Sequence, residues 1–189
     1  DLAEDLITKS VQLRYMDRCF DVFSGHAGAI LVAASLFKAI HSESSLKSLT
    51  LLTDSLLEHV ERIGNALVWK SSIPSKGPIT GFAHGAAGIG CALVRAYLAT
   101  QHERFLVAAV GVHNFLELCR SPKHGWRDSL NGEEASLRAW CHGAPGISLF
   151  YRELVQAVPD NELYMTNLAA AVKITCESLE YENESLCHG

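Results

Sequence analysis

The sequence lacks the features by which several large protein classes are recognised. It contains no run rich in lysine or arginine, and its formal net charge is -5 at pH 7. This charge argues against a nucleic-acid partner and against binding to an anionic membrane surface. No apolar run approaches the roughly 18 residues that span a bilayer, and the acidic N-terminus has no signal-peptide pattern. We therefore expect a cytoplasmic protein without a membrane span.

The cysteine content excludes a further class of protein. Six cysteines in 189 residues are too few for a disulfide scaffold. Four of them lie in apolar, helix-like stretches and are expected to pack as small hydrophobic side chains: Cys19, Cys91, Cys119 and Cys176. The other two, Cys141 and Cys187, differ because each stands directly before a His-Gly pair.

What the sequence does contain is an internal repeat. Copies of a glycine-rich motif stand near residues 21–30, 81–90, 139–147 and 186–189. Their lead glycines are Gly25, Gly85, Gly143 and Gly189, at intervals of 60, 58 and 46 residues. Self-similarity of this kind is the sequence signature of repeat architectures, in which each repeat is one supersecondary unit.

The segments between the motifs have helical periodicity. Apolar residues recur at steps of three and four and predict outer, amphipathic helices over 46–69 and 102–119. Each motif is followed by a more apolar, alanine-rich helix, expected over Ile30–Ile40, Ile89–Ala99 and Ile147–Val158. Strand patterns find little support. These features predict an all-α fold, either an α/α solenoid or part of a closed α/α toroid.

In this arrangement each glycine motif is a tight loop at the N-terminal end of an inner helix, so the loops gather on one face. The polar residues at the motif positions are Asp21, Ser24, His84, Cys141, His142, Cys187 and His188. Cysteine and histidine are preferred zinc ligands, and a catalytic zinc usually keeps its fourth position open. The spacing leaves both a zinc site and ordinary buried thiols open.

The motif residues resemble those of the lanthionine synthetase C-like cyclase family, most closely the C-terminal cyclase domain of class II lanthipeptide synthetases. The resemblance rests on Asp21–Ile30, Gly81–Ile89, Trp140–Ile147 and Leu186–Gly189. It implies an α/α toroid of seven helical hairpins around a central zinc, of which this chain has about half. Residues 1–189 are accordingly expected to form a single, partial toroid domain.

The resemblance also implies an activity and a zinc site. Bacterial members of the family join a cysteine thiol of a dehydrated precursor peptide to a dehydroalanine or dehydrobutyrine, which forms a thioether ring. By likeness to the family motifs, the zinc ligands are expected to be Cys141, Cys187 and His188.

Four further residues are candidates for the chemistry. His84 matches the family's acid/base histidine, and Asp21 matches the aspartate that opens an earlier motif of the family. Two roles stay open for Asp21: it orients an imidazole or relays a proton, or it caps a turn or helix. His142 neighbours a ligand and is expected to contact the substrate or support the zinc site. Arg138 is a candidate for stabilising the enolate oxygen, although the family's arginine lies one position earlier, where this chain has Leu137.

Two other function classes stay open at this stage. One is a non-catalytic, zinc-stabilised module that binds peptides or a small thiol such as glutathione. The other is a metal-free α/α scaffold or carbohydrate enzyme, which would need paired carboxylates where only Asp21 stands at a motif position. A half-ring also exposes the apolar flanks of its end repeats, which predicts either a homodimer or a missing remainder of the toroid.

Overall fold

The computed structural model describes residues 9, 19–75, 77–121, 124–130 and 139–177. Its helices in these ranges are α1 (His26–Ile40), α2 (Glu43–Leu57), α3 (Ala86–Thr100), α4 (Glu103–Leu118), α5 (Ala144–Ala157) and α6 (Glu162–Cys176). Two short antiparallel hairpins accompany them: β1 (Glu61–Ile63) with β2 (Ala66–Val68), and β3 (Arg120–Ser121) with β4 (Gly125–Trp126).

The helices form two layers. In the inner layer α3 packs between α1 and α5, and in the outer layer α2, α4 and α6 each pack on the inner helix that precedes them. Helix α3, in the middle of the inner layer, is buried along most of its length, as its alanine-rich sequence allows. The predicted layered arrangement of helical hairpins is therefore confirmed for the described residues.

The largest buried side chains of the core come from the helices of both layers and from the β3–β4 hairpin. The bulkiest fully buried side chains include those of Phe105, Phe115, Trp126, Phe150 and Tyr151. The longest helix among the described residues, α4, has 16 residues. None of the helices in the described ranges has both the length and the apolar character needed to cross a membrane.

The second glycine of each of the three described motifs explains why the motif recurs. A Cβ atom at Gly28, Gly88 or Gly146 would lie 2.1, 2.0 or 2.2 Å from the carbonyl oxygen of Val22, Phe82 or Trp140, respectively. Only glycine lets the chain fold back this closely before it enters a helix. The repeated glycines are therefore a requirement of the backbone path.

The three described loops are also hydrogen-bonded to one another. The amides of Val22 and Phe23 donate to the carbonyl oxygen of Ala83, at 3.0 and 3.1 Å. The amide of Ala83 in turn donates to the carbonyl oxygen of Cys141, at 3.3 Å. Phe23, Ala83 and Cys141 hold the same place in successive repeats, two residues before the lead glycine. We call this hydrogen-bonded series the loop row; it lies at the N-terminal ends of α1, α3 and α5.

The prediction of one outer helix over 46–69 is wrong in its second half. Helix α2 ends at Leu57, and the chain then forms the β1–β2 hairpin, whose two-residue turn is Gly64-Asn65. Gly64 has φ +60°, which such turns need at their first position, and Gly-Asn is itself a hairpin signal. The helix expected over 102–119 is confirmed as α4.

The β1–β2 hairpin is held by packing against α4. Leu67 of β2 lies over Gly111, where an added Cβ atom would come within 2.3 Å of the leucine Cγ. Leu67, which fits the spacing of a continuing helix, is thus buried by a strand that packs on α4.

Candidate active site

A buried carboxylate anchors one end of the loop row. The Asp21 side chain is only 2% exposed. Its Oδ1 accepts hydrogen bonds from the Ser24 amide at 2.8 Å and the Ser24 hydroxyl at 3.3 Å. Its Oδ2 accepts from His84 Nδ1 at 2.8 Å and from the Ser72 hydroxyl. Four donors therefore surround one carboxylate.

These donors decide the charge of Asp21. Burial by itself disfavours the ionised carboxylate, but hydrogen bonds from Ser72, His84 and the Ser24 amide outweigh it and lower the pKa of Asp21. Asp21 is consequently ionised at neutral pH and held in one position.

His84 is oriented by this carboxylate. Because ionised Asp21 can only accept, His84 donates through Nδ1, and a neutral imidazole then carries its lone pair on Nε2. The His84 side chain remains 20% exposed. The geometry gives a fixed tautomer with one ring nitrogen available for proton transfer.

A second imidazole lies beside the first. The ring centroids of His84 and His142 are 6.3 Å apart, with an interplanar angle of 36°. Nδ1 of His142 is 2.9 Å from Oδ1 of Asp128, and these side chains are 21% and 36% exposed. The hydrogen bond with Asp128 raises the pKa of His142, and burial only partly offsets this. Each imidazole is thus hydrogen-bonded to its own carboxylate.

Ser72 and Asp128 are the site residues that sequence reasoning missed. Asp128 is brought to the site because the Thr80 amide donates to its carbonyl oxygen at 2.8 Å and Ser129 pairs with Ile79, just before the second motif. Ser72 lies 51 residues from the Asp21 side chain that it contacts. Neither residue belongs to the repeat, so no spacing in the sequence indicates it.

Cys141 lies at the other end of the loop row and is 3% exposed. Its carbonyl oxygen packs so closely on Gly81 that a Cβ atom there would be 2.3 Å away. The other predicted ligands, Cys187 and His188, lie outside the described residues, as does Arg138. Among the residues that the structure describes, no group of three His, Cys, Asp or Glu side chains could hold a metal ion.

The open side of the site has an exposed aromatic residue. Phe23 is 75% exposed, and its ring centroid is 5.4 Å from that of His84. On another side, the cavity lined by Asp21, His84 and Trp69 has a volume of only about 10 Å³, which is room for one water at most. This cavity is too small for a substrate, whereas Phe23 lies on an exposed surface next to His84.

Sequence comparison relates the chain to two bacterial biosynthesis proteins. The chain is 27% identical over 178 residues to the lacticin 481/lactococcin biosynthesis protein LcnDR2 of Lactococcus lactis subsp. lactis, covering 89% of this chain and 18% of that protein. It is 28% identical over 125 residues to the nisin biosynthesis protein NisC of the same organism, covering 58% of this chain and 30% of that protein.

A solved structure shows the same fold. Nisin cyclase matches with a TM-score of 0.71 at 22% identity, over 98% of this chain and 53% of that one. This match confirms the prediction of a partial α/α toroid. The chain spans about half the length of the nisin cyclase structure and less than a third of the two curated relatives.

A family model matches the sequence along nearly the whole chain. The model of the lanthionine synthetase C-like proteins matches residues 2–189. The chain belongs to the lanthionine synthetase C-like family.

Proposed function

We propose that this chain is part of a lanthionine or methyllanthionine cyclase. The reaction would add a cysteine thiol of a dehydrated precursor peptide to the double bond of dehydroalanine or dehydrobutyrine. The observation that carries the proposal is the pair of imidazoles, His84 and His142, each hydrogen-bonded to a carboxylate beside the Cys141 loop. Paired, oriented imidazoles are suited to moving a proton near neutral pH.

We further propose that Cys141, Cys187 and His188 hold a zinc ion. Two thiolates and one imidazole are a donor set that zinc favours, with a fourth position left for a substrate. In support, Cys141 lies in the loop row, and Cys187 and His188 follow the same motif pattern before Gly189. Bound there, zinc would keep the substrate thiol as a thiolate at neutral pH. The remaining steps fall to residues of the chain.

His84 is proposed as the group that moves the proton. As the thiolate forms a bond to the β-carbon, the electron pair of the double bond shifts to the carbonyl oxygen and gives an enolate. Protonated His84 then donates from Nε2 to the α-carbon, and the proton released by the substrate thiol restores its protonated form. Asp21 stabilises the imidazolium through Nδ1. Net, S–H adds across the double bond.

The other residues have supporting roles in this proposal. His142, 6.3 Å from His84 between ring centroids and oriented by Asp128, would contact the substrate close to the reacting atoms. Arg138 is proposed to stabilise the enolate oxygen. Phe23 would pack on the peptide next to the reacting residues, since it is exposed on the open side of His84.

The test is ring formation by the purified 189-residue chain, loaded with zinc, on a synthetic peptide with one cysteine and one dehydroalanine. Ring formation is measured by mass spectrometry as the loss of peptide thiol that can be alkylated. The reaction without protein gives the background rate. We expect a rate above background and about one zinc per chain in the intact protein, with both lost in Cys141→Ala. Bound zinc with only the background rate would favour a non-catalytic binding module instead.

A further inference from the structure

A second cavity lies at the opposite end of the inner helices. It has a volume of about 390 Å³ and is formed by the C-terminal halves of α1, α3 and α5. Helix α3 has 15 residues, so its two ends are about 22 Å apart. The cavity is therefore separate from the loop row and from all of the residues discussed above as site residues.

Positive charge is concentrated around this cavity. Lys38, Arg95 and Arg152 line it, together with His41, and Glu153 is the one acidic residue among the described residues of the lining. A local excess of cations is unexpected by composition, because the whole chain has a formal net charge of -5. The average charge of the chain therefore does not explain the cationic lining of this cavity.

Glu153 accepts hydrogen bonds from the two arginines of the cavity. It is 1% exposed, and its Oε1 accepts from Arg95 at 2.8 Å and from Arg152 at 2.5 Å. Burial disfavours its charged form, but the hydrogen bonds from both guanidinium groups lower the pKa of Glu153. One carboxylate thus fixes two guanidinium groups, and it neutralises only one of the two charges.

Helix stability explains only part of the cluster. Lys38 lies in the last turn of α1, where a cation interacts favourably with the helix dipole. The helix-dipole effect is confined to the last turn of a helix. Arg95 lies five residues before the end of α3 at Thr100, and Arg152 lies five residues before the end of α5 at Ala157. The two arginines instead share the cavity wall.

The cavity also has an apolar part. Phe37, Leu98 and Ala99 line it beside the cations. The side chain of Arg152 is 59% exposed, and Lys38 is also exposed, so donors of both remain open to a ligand. A guanidinium group held in place binds carboxylate and phosphate oxygens with two parallel hydrogen bonds.

We propose that this cavity is a binding site for an oxyanion carried on an apolar body, with Lys38 and Arg152 contacting the anion and Phe37 and Leu98 contacting the apolar part. The shared chemistry is a carboxylate or phosphate group, supplied by a small molecule or by an acidic side chain of a peptide. Glu153 is a positioning residue that orients Arg95 and Arg152. The proposal is independent of the cyclase proposal, because it involves none of the same side chains.

The test is a titration of the full chain with matched anionic and neutral probes. The anionic probes are phenyl phosphate, 3-phenylpropionate and the blocked tripeptide acetyl-Leu-Glu-Leu-amide. The neutral counterparts of the last two are 3-phenylpropionamide and acetyl-Leu-Gln-Leu-amide. Calorimetry gives the affinities, and amide NMR shifts of α1, α3 and α5 localise the bound probe.

We expect at least one anionic probe to bind, and the carboxylate probes to bind about 10-fold more tightly than their neutral counterparts. Affinity should fall as salt is added. The Lys38→Gln/Arg152→Gln double variant should bind about 10-fold more weakly. The matched control, Arg62→Gln, removes an exposed arginine of β1 outside the cavity and should leave the affinity unchanged.

Two results would overturn the proposal. One is equal binding of charged and neutral probes, which would leave only an apolar cavity, and the other is no anionic probe binding below about 10 mM. Both readings come from the unmodified chain, so they decide the matter even if the double variant does not fold. The probe that binds most tightly shows whether the site prefers a carboxylate or a phosphate group. It also shows whether the anion is supplied by a small molecule or by a peptide.

Discussion

His84 and His142 occupy equivalent places in successive repeats, yet their carboxylate partners differ in origin and burial. His84 and His142 each stand directly before a lead glycine. Asp21, the partner of His84, comes from the neighbouring repeat motif and is 2% exposed with four donors. Asp128, the partner of His142, comes from a loop between repeats and is 36% exposed.

This difference indicates a division of roles. A buried carboxylate with all of its donors in place holds one tautomer and one ring orientation, as proton transfer at a defined atom requires. Asp128 raises the pKa of His142 through its hydrogen bond, but water screens this partly exposed pair and holds the ring less firmly. We therefore assign the proton transfer to His84 and the substrate contact to His142.

The largest expected effect is from His84→Asn. The asparagine amide can still donate to Asp21, but it supplies nothing in place of Nε2. We expect the cyclisation rate to fall by about 100- to 10,000-fold, the usual contribution of a general acid or base. Rates measured under single-turnover conditions check this, and an unchanged rate would assign the proton transfer to another group.

Asp21→Asn should come next, with a rate about 100-fold below that of the unmodified chain. The substitution removes the charge that supports the imidazolium and permits the wrong tautomer of His84.

The pKa of Asp21 is lowered by folding, so its contribution to stability is present above the unfolded pKa of about 3.9 and is lost as pH falls through the lowered value. Unfolding measured from pH 7 to pH 3 should show the variant's deficit shrinking toward acid.

Asp128→Asn should have a smaller effect, about 10-fold or less in rate. The pKa of His142 is raised in the folded chain, so the pair stabilises the fold fully below the unfolded pKa of about 6.5 and loses this contribution as pH rises through the raised value. The difference in unfolding free energy should be at most about 1 kcal/mol near pH 5.5 and should vanish toward pH 8. A deficit that instead grows with pH contradicts the pairing.

Phe23→Ala should have the smallest effect of the four. If the exposed ring packs on the peptide, its loss should raise KM about fivefold with little change in kcat, which corresponds to partial burial of one aromatic side chain. Val107→Ala is the control, because Val107 is 68% exposed on the outer helix α4. Equal KM values for the two variants would remove Phe23 from the substrate surface.

The sequence predicted those parts of the molecule that depend on local backbone geometry. Gly28, Gly88 and Gly146 each fit a close approach between the chain and its own carbonyl oxygen, so the repeat indicates both the loops and the helices that follow them. Once the loops are stacked in order, the proximity of His84 and His142 follows from their shared position in the repeat.

The parts that were not predicted depend on packing between distant segments. Asp128 reaches His142 because a backbone pairing joins Ile79 to Ser129, and that pairing leaves no pattern in the sequence. The helix predicted over 46–69 failed for a related reason. The spacing of apolar residues near Leu67 fits a helix and a buried strand alike, and Gly64-Asn65 was the local signal that distinguishes them.

The central claim is that Asp21 acts in cyclisation only through His84, and a double-mutant cycle tests it most directly. Single-turnover rates would be measured for the unmodified zinc-loaded chain, His84→Asn, Asp21→Asn and the double variant. Residues that act as one unit are strongly non-additive, so the double variant should react no more slowly than His84→Asn alone. A double variant slowed by the product of the two single effects would contradict the account, because Asp21 would then contribute independently of His84.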